Sequence, residues 1–194
     1  MTHDLQTIFG ILSVAVGLIS YVPYYRDLLL GRTKPHPFSW VGFALLMGIA
    51  FFAQVVGGAG PGAWAMGISV VGVLGITILS FSRGEKDITA FDWFCFASAL
   101  AAIALWQLVG DPLIAVLIVT FADALSFAPT YRKAFYKPRE ETMSLYVLSA
   151  AKHFLSLCAL SAINPTTALF PASLVVSNIA FVLLLIIRRR QLRG

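Results

Sequence analysis

The apolar positions of this chain fall into seven long runs, at about 5–25, 37–57, 61–82, 91–109, 112–131, 142–162 and 165–187. Each is close to the ~20 residues that a helix needs to cross a hydrocarbon core of ~30 Å. Unpaired backbone groups are not tolerated in lipid, and barrel strands would be about half as long and alternating. The runs therefore predict helices. The first lacks a basic leader region and a small-residue cleavage site, so it reads as a retained helix rather than a signal peptide.

Composition points the same way. Of 194 residues, 59% are hydrophobic and 12% charged, with a mean hydropathy of +0.85. A soluble domain carries roughly 25% charged residues, and the seven runs leave no room for one. Cys95 and Cys158 both fall inside runs and read as small apolar residues.

The basic residues fix an orientation. Arg26, Arg32 and Lys34 lie in the first connection, Arg83 and Lys86 in the third, and Arg132, Lys133, Lys137 and Arg139 in the fifth. Arg188, Arg189, Arg190 and Arg193 follow the last run. The second connection (57–62), the fourth (110–112) and the sixth (162–165) carry none. Thirteen of 14 Lys and Arg thus share one side, and the other, Lys152, lies within a run. Such a bias marks the cytoplasmic face. It predicts an outside N-terminus and a cytoplasmic C-terminus in an integral protein of the cell (plasma or inner) membrane. The cations read as topology signals and headgroup anchors, and nucleic acid is excluded as a partner.

A motif recurs. Ser20-Tyr21-Val22-Pro23-Tyr24-Tyr25-Arg26 and Ser126-Phe127-Ala128-Pro129-Thr130-Tyr131-Arg132 share Ser-aromatic-x-Pro-x-Tyr-Arg at a spacing of 106 residues. Each copy ends a run on the basic side and opens a unit of three runs. The expected architecture is all-α: seven transmembrane helices as 3+1+3 parallel triple-helix repeats. Residues 1–82 form the first unit, 83–110 the linking helix, and 111–194 the second unit with its basic tail. Proline removes an N–H donor and crowds the preceding turn, so Pro23 and Pro129 are candidate hinges as well as simple end markers. Tyr25 and Tyr131 read as interfacial anchors beside those hinges.

This plan resembles the PQ-loop superfamily, which includes the SWEET sugar transporters and lysosomal exporters of cystine and cationic amino acids. SWEET-type proteins are themselves an example of parallel repeats about an axis along the membrane normal. In place of the family's Gln after proline, this chain has Tyr24 and Thr130. The resemblance implies alternating-access transport of a small polar solute, sugar or amino-acid-like. It also implies an asparagine on the third helix of a unit facing that solute, a place matched by Asn178. The first unit has Gly72 and Gly75 there.

Ionisable groups inside spans are costly, at least ~2.5–3.5 kcal/mol each by insertion scales, and are functional candidates by default. Three occur: Asp123, Lys152 and His153. At ~1.5 Å per residue, Asp123 lies ~16 Å and Lys152 ~15 Å from the start of their runs, both near the midplane. They sit on consecutive antiparallel spans, so an ion pair is predicted. His153 is ~100° around the helix from Lys152, which predicts that the two point to different places. Ser149, Lys152, His153 and Ser156 form a polar stripe at i, i+3, i+4 and i+7; Thr120 and Asp123 do the same one span earlier. Gly17 and Gly48 hold the corresponding places in the first unit. The cluster admits two readings, a structural ion pair or a site that binds solute or moves a proton. Among tryptophans, Trp64 and Trp106 are expected at the outer interface and Trp93 at the inner. Trp40 is an anchor or part of an inner gate. Gln54 and Gln107 lie near outer helix ends with no role assigned. Small residues Ala63, Gly67, Gly72 and Gly75 allow close helix approach.

The leading function is transport, with proton linkage open. The alternative is a non-transporting membrane receptor or assembly factor of the same architecture. A retinal protein is disfavoured because the last span has no lysine. No nucleophile elbow, phosphate loop or metal-ligand spacing marks an enzyme, and no cofactor is expected. The partners are a small solute and the bilayer; a homo-oligomer is left open.

Overall fold

The computed structural model describes residues 3–108 and 112–192, the side chains of Trp106 and Pro112 excepted. Asp111, Arg193 and the expected outer position of Trp106 lie outside the described residues. Seven α-helices make up most of the described chain, with short 3-10 turns at Gly60–Ala63 and Pro138–Glu140: α1 (His3–Leu29), α2 (Pro37–Val56), α3 (Trp64–Arg83), α4 (Ala90–Trp106), α5 (Pro112–Tyr136), α6 (Met143–Cys158) and α7 (Pro165–Gln191). One helix forms from each apolar run. Five are long and apolar enough to cross a membrane; α4 and α6 are apolar but shorter.

The boundaries follow local chemistry. Thr89 and Asp92 close a capping box at the start of α4, and Asn164 and Thr167 close another at α7. Prolines open α2, α5 and α7. Contrary to expectation, α1 and α5 do not end at their proline motifs. Pro23 and Pro129 lie within the helices, which run on to Leu29 and Tyr136. Each proline leaves the carbonyl four residues earlier, Ile19 and Leu125, without its helical donor. Packing and nearly two further turns carry each helix past that gap.

The polarity of the molecule is inverted relative to a soluble protein. Ile19, Val22, Ile78, Phe121 and Val176 are exposed, while Ser13, Ser69, Asp123, Lys152 and His153 are buried. A surface this apolar requires lipid or a partner to cover it.

Helix order in space differs from order in sequence. α3 packs against both α1 and α2, and α7 against both α5 and α6. α1 packs on α6, α2 on α5, and α4 covers α5 while touching α2. Among the described residues, α5 and α6 do not pack on each other. Glycines allow the close approaches. A Cβ at Gly72 would lie 2.4 Å from the Tyr21 ring, and one at Gly42 2.2 Å from Ser126 Oγ, where α2 meets α5.

Each end of the bundle is tied. At the end with few charges, Ser161 N–H donates to Ala59 C=O (3.2 Å), Ser156 Oγ to Gly62 C=O (2.7 Å) and Gln6 Nε2 to Leu160 C=O (3.1 Å). Ala59, Ala63 and Leu160 form a small apolar plug there. Gln54, left without a role above, is buried and donates to Thr167 C=O (3.4 Å). That carbonyl lies four residues before Pro171, the position where a helical proline removes the normal donor.

At the basic end the cations do more than mark topology. Arg132 grips Asp92 with Nε and Nη2 (2.9 and 2.7 Å), joining α5 to α4. Lys137 pairs with Glu85 (2.9 Å) and Lys34 with Glu140 (2.7 Å). Lys133, counted above as a headgroup anchor, is buried in an ion pair with Glu141 and also donates to the Lys34 and Glu140 carbonyls.

Candidate functional site

A cavity lies between α1, α2, α3, α5, α6 and α7, lined by side chains from all six. Asp123, Lys152, His153 and Asn178 all reach it, as do Ser149 and Trp40. So the four polar residues singled out in the sequence converge. The sequence missed the aromatic share of the wall, Tyr21, Phe43, Phe127 and Tyr146. Tyr21 and Phe127 are the aromatic positions of the repeated motif, a signal that could have marked them.

The expected Asp123–Lys152 ion pair does not form. Lys152 Nζ instead donates to Ser69 Oγ on α3 (2.7 Å) and lies 5.2 Å from the Tyr21 ring centroid. Ser69 Oγ donates to Ala65 C=O (2.6 Å), which turns its lone pairs toward the ammonium. Gly17 makes this possible, because a Cβ there would come within 3.0 Å of Lys152 Cδ. The physical reason is helix order. α7 stands between α5 and α6, and α6 presents its polar stripe to α1 and α3.

Asp123 is buried, and its Oδ1 has no hydrogen-bond partner among the described residues; the same holds for His153 Nδ1. Asn178 Nδ2 donates back to Leu174 C=O (2.7 Å). His153 and Lys152, expected to point apart, line one cavity from neighbouring positions on the stripe. An orphaned buried carboxylate oxygen costs about 1–3 kcal/mol or more, so it marks a place where water, a proton or a ligand belongs.

The free space is about 40 Å³. It admits a few waters and is far below the ~300–1,000 Å³ of ordinary ligand pockets.

Trp40 is no interfacial anchor. It is buried, 5.2 Å from the Tyr24 ring and 5.7 Å from Phe43. Trp64 and Trp93 are exposed, as belt residues should be. Tyr25 and Tyr131 are half-buried: Tyr25 Oη donates to Gly72 C=O on α3 and Tyr131 Oη to Ser177 C=O on α7, each 2.7 Å. Neither Tyr25, Tyr131, Pro23 nor Pro129 lines the cavity; Pro23 and Pro129 each follow a wall residue, Tyr21 and Phe127, by two positions.

Toward the basic end, Tyr146 of the cavity wall donates to Glu141 Oε2 (2.8 Å), and Glu141 holds Lys133. This chain links the cavity to the ion pairs that close the bundle. Nearby, His36 caps α2 beside Asp92 (3.4 Å). Burial holds its imidazole below the ordinary value, and Asp92 opposes that effect only in part. For Glu85, burial would raise the carboxyl, but the Asp87 and Lys86 amides and the Lys137 ammonium bring it down to about 2.

No family model, curated protein or solved structure matches this chain. Function therefore rests on the site itself.

Proposed function

We propose that this chain is a membrane transporter that moves a small polar solute by alternating access through the central cavity. The observation that carries the reading is the convergence of a carboxylate, an amine, an imidazole and an amide, all from α5, α6 and α7, on one buried space walled on its other side by α1, α2 and α3 and ringed by lipid-compatible surface. Such groups are kept inside a membrane only at a cost, and pathways for solutes and protons are where they concentrate.

The proposed architecture is two parallel three-helix units, 1–82 and 111–194, joined by the helix in 83–110, with the N-terminus outside and the C-terminus cytoplasmic. Two observations support it. Leaving α4 aside, the same helix pairs pack together when α1, α2 and α3 are exchanged with α5, α6 and α7. The motif tyrosines also make the same bond, Tyr25 to α3 and Tyr131 to α7. Kinship with the PQ-loop and SWEET-like group, and residence in the plasma or inner membrane, belong to the same proposal.

In this reading the structure is the closed form. The plug of Ala59, Ala63 and Leu160 closes the outer end. Tyr24, Trp40 and Tyr146, with the Tyr146–Glu141–Lys133 chain, close the inner end. Pro23 and Pro129 are the hinge positions, since their missing donors make those turns easier to bend. Asp123 is the group placed to take up substrate charge or a proton, because Lys152 is already held by Ser69.

One observation favours a second reading, a non-transporting receptor or assembly factor: the cavity holds only about 40 Å³. A thermal-shift screen of the purified protein against sugars, amino acids and vitamins at two pH values separates the two, followed by uptake into proteoliposomes of each stabilising compound. Transport predicts a ligand whose stabilisation and uptake are both lost in Asp123→Asn. A well-folded protein that no solute stabilises and that takes up none would support the receptor.

A further inference from the structure

A second, larger concavity opens at the basic end of the bundle, away from the central cavity. It is an open cleft of about 490 Å³. Four arginines from separate parts of the chain meet around it: Arg26 near the end of α1, Arg32 in the loop that follows, Arg139 in the turn before α6, and Arg189 on α7.

These cations are not equally occupied. Arg26 pairs with Asp27 (2.9 Å). Arg189 donates Nε to Pro138 C=O (3.0 Å) and Nη2 to Glu141 C=O (2.5 Å). The carboxylates in the wall have partners of their own: Asp27 takes Arg26 and Thr142, and Glu141 takes Lys133 and Tyr146. Arg32 and Arg139 remain, exposed at the cleft with no side-chain hydrogen bond or ion pair among the described residues.

The floor adds positive potential. Met143 and Ser144, the first two residues of the 16-residue helix α6, line the cleft. Their N-cap, Thr142, makes no side-chain cap and spends its hydroxyl on Asp27 (2.9 Å). Uncapped amides and the helix dipole therefore add to the field of the arginines. Among the described residues of the wall, Met143 is the one apolar side chain and none is aromatic. That excludes a nucleobase platform and leaves a compact, multiply charged anion. Guanidinium forks match tetrahedral oxyanions by paired N–H donors.

We propose that this cleft is a phosphate-binding site, centred on Arg32 and Arg139 with Arg26, Arg189 and the α6 N-terminus behind them. It takes a phosphate group carried either by an anionic lipid headgroup or by a small soluble ion. In both cases the phosphate would bridge α1, α6 and α7 at the end where the inner closure sits.

The test uses the full-length purified protein. One arm titrates lipid-free protein in detergent with inorganic phosphate and reads thermal stability. The other counts bound lipids by native mass spectrometry after extraction from phosphatidylglycerol or phosphatidylcholine nanodiscs. Each arm is repeated with Arg32→Gln/Arg139→Gln. Each lost arginine should weaken binding by roughly tenfold or more, as expected for charge-assisted hydrogen bonds. Phosphate stabilisation that is lost in the variant supports a soluble ligand. Retention of phosphatidylglycerol, but not phosphatidylcholine, that is lost in the variant supports a lipid. Should the double variant fold poorly, Ser144→Asp supplies the check: a carboxylate at the α6 N-terminus favours the helix but occupies the anion's place, so binding falls while stability holds. Binding of neither probe, or equal binding by wild type and the variants, overturns the proposal.

Discussion

Lys152 of α6 donates to Ser69 of α3 over 2.7 Å, so the one lysine within a predicted span is held by the opposite half of the chain. The lysine's stem lies against Gly17 of α1 and its ammonium near the Tyr21 ring. Matching depth on consecutive spans suggests Asp123 as its partner, but the fold gives Lys152 a neutral acceptor and leaves Asp123 Oδ1 without a partner among the described residues.

Ser69→Ala removes the acceptor and leaves a buried amine without a hydrogen bond. The expected loss is about 1–3 kcal/mol, read as a lower thermal midpoint in detergent. Adding Lys152→Met should recover most of it, because the orphan donor is gone. A double variant as unstable as the sum of the singles would show that the bond contributes nothing.

Asp123→Asn and Lys152→Met should act independently on stability, within about 0.5 kcal/mol of additivity, because the two groups are not paired. Strong coupling in a double-mutant cycle would restore the ion-pair reading and make the cluster a strut.

Lys133→Met leaves Glu141 buried without its cation. Breaking such a pair costs about 3–5 kcal/mol, among the largest effects expected for one substitution here. Lys86→Met, at an exposed site, should change the thermal midpoint little. Equal effects at the two positions would contradict the assignment of Lys133 to the interior.

Stability should fall with acid in two steps. His36 has its folded value below its ordinary 6.5, so the unfolded chain binds the proton more readily; its contribution is present above 6.5 and is lost as pH falls below it. Glu85 is lowered from 4.5 to about 2, so its contribution is present above 4.5 and is lost between 4.5 and 2. Thermal midpoints across this range check both steps. His36→Gln should remove the upper step and leave the lower; an unchanged upper step would assign it to another group.

The sequence carried a large share of this. Every apolar run became a helix, because a hydrophobic run of that length has few other ways to satisfy its backbone. Asp123, Lys152, His153 and Asn178 share a cavity, as expected of costly groups that must avoid lipid. Their partners were not legible. Ser69 and Gly17 lie outside the recurring motif, and their meaning comes from α6 packing on α1 rather than on α5, which helix periodicity does not encode. Lys133 looked like any other loop cation. Only the neighbouring Glu141, which could as easily face water, hinted at burial. Pro23 and Pro129 looked like helix ends, since local rules penalise a mid-helix proline while tertiary packing overrides the penalty.

The central claim is a cavity that opens to each side of the membrane in turn, and Ser149 is the position to probe. With Cys95 and Cys158 replaced by serine, Ser149→Cys in sealed proteoliposomes is exposed to a membrane-impermeant thiol reagent from one face and then from the other. The account predicts slow labelling from both faces, with cross-linking of one end suppressing labelling from that face alone. Labelling from neither face in folded protein would contradict it.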